Sequence, residues 1–260
     1  MHTDMTGKVA LVTGASRGIG AAVARAFRSA GARVVISARD AEALHRLADE
    51  LGDGQALALP TDVSDAKAVA EMVERVVSEF GRLDFACNNA AGGGHPPTPL
   101  ADIAIEAFDS MQAISLRGVF LSMRAEIPAI VRSGGGAIVN MSSTAGLQGV
   151  GGLSSYVAAK HGVEGLTKVA ALDYAEVGVR VNALAPGPIL TDNLKRAGTA
   201  AQQAAAAAMP LRRVGQPEEV AAAVLWLCSD QSGFITGTTL TIDGGKLAGT
   251  PPFHVKAGPR

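Results

Sequence analysis

Cysteine is nearly absent from this chain: only Cys87 and Cys228 occur in 260 residues. Two thiols cannot build a disulfide framework, and each lies in an apolar run, so buried free thiols are expected. Charge is also sparse, at 18% ionisable residues with a formal net charge of −1. That balance argues against a nucleic-acid or anionic-membrane partner. No apolar run approaches transmembrane length, and Met1–Lys8 lacks the apolar core of a signal peptide, so a soluble cytoplasmic protein is expected. No metal site is expected either. Aromatic residues are few, with one Trp and two Tyr, so Tyr156 stands out by its rarity alone.

What is abundant is aliphatic. Hydrophobic residues make up 48% of the chain, enough for a well-buried core with little disorder. Short continuous apolar runs at Val9–Thr13, Arg33–Ser37, Ala56–Leu59, Leu83–Cys87, Ala137–Met141, Val179–Leu184 and Thr239–Ile242 read as strands buried on both faces. Helical patterns fall between them. They cover Ala21–Ala30, Asp40–Leu51 with Asp40 as N-cap, Asp65–Phe80, Ala104–Val131, the segment carrying Tyr156, Asp192–Met209 and Pro217–Ser229. Pro128 is expected to end or kink the long fourth helix. This alternation predicts an α/β fold with a doubly wound parallel sheet of about seven strands, flanked by helices. No linker or repeat divides the chain. One domain is expected over residues 1–246, with an irregular tail over 247–260.

The first strand runs into Gly14-Ala-Ser-Arg-Gly-Ile-Gly20 and then into a helix. Strand, glycine turn and helix N-terminus together offer backbone N–H groups to a phosphate. The ends of the other strands, including Asp62, Asn88–Gly94, Ser142–Ser143 and Ala185–Thr191, gather at the same sheet edge, where such sheets bind dinucleotides. An acidic residue closing the second strand would bind the adenosine ribose and repel a 2′-phosphate. Ala38-Arg39 stands there instead, with Arg17 in the glycine turn. Two guanidinium groups favour NADP(H), while Asp40 leaves NAD(H) open.

At the same edge, Tyr156 and Lys160 share one helical face, one turn apart. A tyrosine hydroxyl ordinarily titrates near ~10, and an adjacent ammonium favours its phenolate. These motifs resemble the short-chain dehydrogenase/reductase family over roughly Thr6 to Lys246: Thr13-Gly-Ala-Ser-Arg-Gly-Ile-Gly20, Asp62-Val63, Asn88-Asn-Ala, Ser143 with Tyr156-x-x-x-Lys160, Pro186-Gly187 and Asp243-Gly-Gly245. The resemblance implies a Rossmann-type fold and roles for each motif. Tyr156 would be the general acid in carbonyl reduction and the base in alcohol oxidation. Lys160 would lower the tyrosine pKa and hold the nicotinamide ribose. Ser143, chosen over Ser142 by its family spacing to Tyr156, would donate to the substrate oxygen. Gly14, Gly18 and Gly20 would shape the phosphate turn, and Ser16, Arg17 and Ile19 would contact phosphate or ribose. Arg39 would meet the 2′-phosphate, Asp62 and Val63 the adenine, and Asn89 and Ala90 the ribose. Ile189 and Thr191 would bind the carboxamide end, and Pro186 and Gly187 would also lie at the cofactor.

Two departures from the family pattern appear. Ser115 stands where an asparagine usually helps carry a water-linked proton relay, so a working but slower relay is expected. Ala91 interrupts the usual Asn-Asn-Ala-Gly. The substrate wall is expected from Gly92–Leu100, Leu147–Leu153 and a substrate loop at about 187–215. Its side chains are mostly apolar: Leu147, Val150, Leu153, Leu190, Leu194 and Met209. His95 is placed at the solvent edge, and Lys195 and Arg196 in solvent. The expected reaction is reduction of a ketone, or oxidation of a secondary alcohol, on a mid-sized apolar or cyclic molecule. The alternatives are a 3-oxoacyl-thioester reductase and a dinucleotide-sensing binding protein without turnover. The resemblance also suggests a homotetramer or dimer, and the tail could reach a neighbouring subunit's pocket.

Overall fold

The structure is a computed structural model that describes residues 3–52, 54–92 and 95–249. Strands and helices alternate through β1 (Val9–Thr13), α1 (Gly18–Ser29), β2 (Arg33–Ala38), α2 (Ala41–Leu51), β3 (Ala56–Pro60), α3 (Ala66–Phe80) and β4 (Phe85–Asn88). The second half runs α4 (Ile105–Gln112), α5 (Gly118–Arg132), β5 (Gly136–Met141), α6 (Ser154–Tyr174) and β6 (Val179–Pro186). It closes with α7 (Asp192–Arg196), α8 (Gly198–Ala207), α9 (Pro217–Cys228) and β7 (Thr239–Ile242).

All seven strands pair in parallel, in the order β3-β2-β1-β4-β5-β6-β7. Side-chain alternation along β1 explains why the sheet needs helices on both faces. Ala10 and Val12 point into one core, with Phe27 of α1, Leu44 of α2 and Val224 of α9. Val9 and Leu11 point into the other, with Val73 of α3, Ile130 of α5 and Val163 of α6. The two expected thiols, Cys87 and Cys228, are free and buried. Among the described residues, no helix is long and apolar enough to cross a membrane.

Helix starts follow side-chain chemistry. Asp40 accepts from Ala43 N–H at 3.0 Å, and Asp65 from Lys67 N–H at 2.8 Å, so each caps its helix. Several expected elements differ in extent. Helix α1 begins at Gly18, inside the glycine turn rather than after it. Strand β4 starts at Phe85 and ends at Asn88, not Cys87. The expected long helix is broken into α4, a π-helical stretch over Ala113–Arg117, and α5, and α5 continues past Pro128 to Arg132. The alanine-rich helix over Asp192–Met209 is two helices, parted at Gly198, whose φ of +88° leaves the helical region. The tail from residue 250 onward, and Gly93 and Gly94, lie outside the described residues.

The chain leaves β1 toward β2 and β3, then returns to β4 on the other side of β1. Strand order therefore reverses between β1 and β4, and a crevice opens beyond their C-terminal ends.

Candidate active site

The crevice begins at the glycine turn. Gly14 has φ +64°, and a Cβ there would lie 2.8 Å from Ala90 Cα. A Cβ on Gly20 would lie 2.3 Å from Gly14 O. Neither position accepts a side chain, so the turn stays tight and α1 starts directly beneath it. Asn89 secures this arrangement, donating from its side-chain amide to Thr13 O at 3.2 Å and Gly14 O at 3.0 Å.

Gly14, Ser16, Arg17, Arg39, Asp62, Val63, Asn89 and Ala90 line one cavity of about 220 Å³, joined by Ala38, Asp40, Thr61, Ala91 and Ile114. Eight of the expected cofactor residues are thus brought together. Others flank it: Thr191 packs against Gly18, Gly187 against Asp243, and Ile189 pairs with Gly215. Asp62 accepts from the backbone and hydroxyl of Ser64, which with Arg39 hold its carboxyl below the usual range against the opposing effect of burial. The carboxylate of Asp40 is spent capping α2. The side chains of Arg17 and Arg39 make no hydrogen bond or close ion pair among the described residues. A tight glycine turn, a helix N-terminus and two guanidiniums without hydrogen-bond partners fit the phosphates of a dinucleotide.

Beyond β5, the side chains of Ser142 and Ser143 part company. Ser142 Oγ is buried without a hydrogen-bond partner, and a Cβ on Gly146 would meet it at 2.5 Å. Ser143 accepts from Ala145 N–H at 3.1 Å and hydrogen-bonds to the Tyr156 side chain. Burial pushes the half-buried Tyr156 phenol up, and the bond with Ser143 opposes that shift. Lys160 Nζ is 5.7 Å from the centre of the Tyr156 ring and donates to Met141 O at 2.7 Å. Burial lowers its pKa to about 8, with the Glu164 carboxylate pulling the other way. A serine donor, a phenol and a buried ammonium in one cleft can polarise a carbonyl and exchange a proton with its oxygen.

The comparisons decide the family. A family profile described as Enoyl-(Acyl carrier protein) reductase matches residues 14–246. A cyclohexanol dehydrogenase of Acinetobacter sp. (strain SE19) is 42% identical over 94% of this chain and 96% of its own. A cis-4-hydroxycyclohexanecarboxylate dehydrogenase of Sinomonas cyclohexanicum is 42% identical over 93% of this chain and 97% of its own. A crystal structure of a short-chain type dehydrogenase/reductase from Mycobacterium marinum superposes with a TM-score of 0.87 at 36% identity, covering 95% of this chain and 98% of that one. The chain belongs to the short-chain dehydrogenase/reductase family. It is an oxidoreductase acting on CH–OH and C=O groups with a nicotinamide dinucleotide.

Within this short-chain dehydrogenase/reductase, Ser115 is fully buried on the π-helical stretch. Its hydroxyl donates to Met111 Sδ at 3.2 Å and accepts from Gly92 N–H at 3.0 Å. It anchors the loop after β4.

Three features escaped the sequence. A buried chain of polar groups runs under the site: Asn88 Nδ2 donates to Glu126 Oε2 and to Asn140 Oδ1, each at 3.0 Å, and Asn140 donates to Thr167 Oγ1 at 3.0 Å. Gln112 donates to Ser155 O at 2.8 Å. His95, partly exposed, reaches the Ser155 hydroxyl through its ring Nε2. Glu126 alone left a trace, as a carboxylate within an apolar helical stretch.

Proposed function

We propose that this enzyme transfers a hydride between NADP(H) and a secondary alcohol or ketone on a mid-sized apolar or cyclic molecule. The observation carrying the cofactor choice is the pair Arg17 and Arg39 on one cavity wall, beside Ala38 and with Asp40 committed to a helix cap. When bound, the dinucleotide accepts or donates the hydride. Arg17 and Arg39 would hold its 2′-phosphate, and Ser16, Gly18, Ile19 and Gly20 the phosphates at the start of α1. Asp62 and Val63 would receive the adenine, Asn89 and Ala90 a ribose, and Ile189 and Thr191 the carboxamide end, with Pro186 and Gly187 also at the cofactor. Tyr156 exchanges a proton with the substrate oxygen, Ser143 donates a hydrogen bond to that oxygen, and Lys160 holds the ribose and favours the phenolate. The ring-alcohol names of two relatives support the substrate class.

The test is a panel of cyclic and open-chain alcohols and ketones, with a 3-oxoacyl thioester included, read with both dinucleotides. Turnover of ring substrates with NADPH dissociating more weakly than NADH would overturn the cofactor choice. Turnover of only small charged molecules, or only of the thioester, would overturn the substrate class.

We also infer one catalytic domain over residues 1–246 and assembly as a homotetramer or dimer. Leu172 and Val169 on α6, Phe120 on α5, and Trp226 with Phe234 leave large apolar side chains exposed on the single chain. Sedimentation velocity at micromolar concentration checks this. A species of one chain only would contradict it.

A further inference from the structure

His95 lies in the loop that follows β4, and its ring makes two short contacts. Nε2 is 2.7 Å from the Ser155 hydroxyl, and Nδ1 is 2.7 Å from Pro96 O. A neutral imidazole carries one N–H, and a carbonyl oxygen only accepts. In the neutral ring the proton is therefore on Nδ1, and Nε2 accepts from Ser155. Ser155 is fully buried in the first turn of α6, immediately before Tyr156. Its hydroxyl faces the loop, and its carbonyl is held from the other side by Gln112 of α4.

The same loop touches the approach to α6 a second time. Thr98 N–H donates to Gly152 O at 3.0 Å. Pro97 packs so closely that a Cβ on Gly152 would lie 2.9 Å from Pro97 Cβ. The loop is also tied to the π-helical stretch where Gly92 N–H meets Ser115 Oγ. His95 is therefore the side-chain tie between this wall of the cleft and the turn that carries the phenol.

We propose that His95 is a positioning residue that sets substrate specificity: through Ser155 it fastens the loop wall of the substrate cleft to the first turn of α6, beside Tyr156. It touches neither the reacting atoms nor the dinucleotide cavity. Its effect falls on the shape of the cleft, and so on which alcohol is held against Tyr156. The kinetic readout rests on the alcohol–ketone reading above; the ring's protonation does not.

The experiment uses the full chain with His95→Ala, His95→Gln, Ser155→Ala and the double alanine variant. His95→Ala is expected to raise KM for a ring alcohol roughly five- to tenfold, the factor carried by one ordinary neutral hydrogen bond. Dinucleotide affinity stays at the wild-type value, His95→Gln recovers part of the loss, and the double variant is no worse than either single one. An unchanged KM, or losses that multiply in the double variant, overturns the proposal. Nitrogen-15 NMR of the His95 ring gives a second readout, expected to show the Nδ1-protonated tautomer in wild type and a shifted Nε2 resonance in Ser155→Ala, where that nitrogen loses its hydrogen bond. An Nε2 resonance that Ser155→Ala leaves unmoved overturns the tie whatever the enzyme turns over. If no ring alcohol reacts while the NMR signature holds, the substrate reading fails and the tie stands.

Discussion

Lys160 is an ammonium with only 2% of its surface exposed, held by one backbone carbonyl and one turn from a buried carboxylate. Burial brings its pKa to about 8, and Glu164 opposes that fall. Glu164 accepts from Thr239 on β7, which fixes the carboxylate on the same helical face as Lys160. The charge that would favour the Tyr156 phenolate is therefore lost as pH rises through about 8. In Glu164→Gln the amide keeps an acceptor for Thr239 but removes the negative charge, so Lys160 gives up its proton at lower pH. The alkaline decline of turnover is expected to move to lower pH in Glu164→Gln relative to wild type. Superimposable pH profiles would show that Glu164 does not act on Lys160.

Across elements, β4, β5, α5 and α6 are joined by the polar chain through Glu126, Asn88, Asn140 and Thr167. Burial pushes the Glu126 carboxyl up to about 7, with the Asn88 amide opposing. The folded state thus holds a proton that an unfolded chain releases near the ordinary glutamate value. The stability tied to this proton is full below that ordinary value, and it falls as pH rises toward about 7. The loss above pH 7 is on the order of 3 kcal/mol. Glu126→Gln keeps an acceptor for Asn88 and removes the titration. Chemical denaturation at pH 5 and pH 8 is expected to show a smaller pH dependence in Glu126→Gln, with the variant gaining most at pH 8. An unchanged difference between the two pH values would mean that Glu126 is not the titrating group.

The elements differ in how plainly the sequence announces them. Strands β1, β2 and β5 are legible because a strand covered on both faces must be a continuous apolar run. The break between α7 and α8 is not, because a run of alanines has high helix propensity and one left-handed glycine at Gly198 redirects the chain. Pro128 is expected to end or kink the helix near its C-terminus, and α5 absorbs it and continues to Arg132. The residues gathered at the cavity beyond β1 were legible through their spacing. The contact of His95 with Ser155 was not, since only the fold brings together residues 60 positions apart along the chain. Nor does the residue type of Ser115 reveal that its hydroxyl is claimed by Met111 and Gly92.

At the scale of the whole molecule, the site exists because strand order reverses between β1 and β4 and the strand ends converge. The glycine turn, the loop after β4, Ser143 after β5 and the first turns of α6 come from separate stretches, and no one of them is a site alone. The proposed chemistry requires this convergence to end at the Tyr156 hydroxyl. The most direct measurement is steady-state oxidation of a ring alcohol with NADP⁺ by wild type and Tyr156→Phe, with dinucleotide dissociation constants measured for both. Wild type is expected to turn over, and Tyr156→Phe to lose turnover by roughly 10²-fold or more while keeping its dinucleotide affinity. Comparable turnover in Tyr156→Phe would contradict the assignment of Tyr156 as the proton-exchanging group.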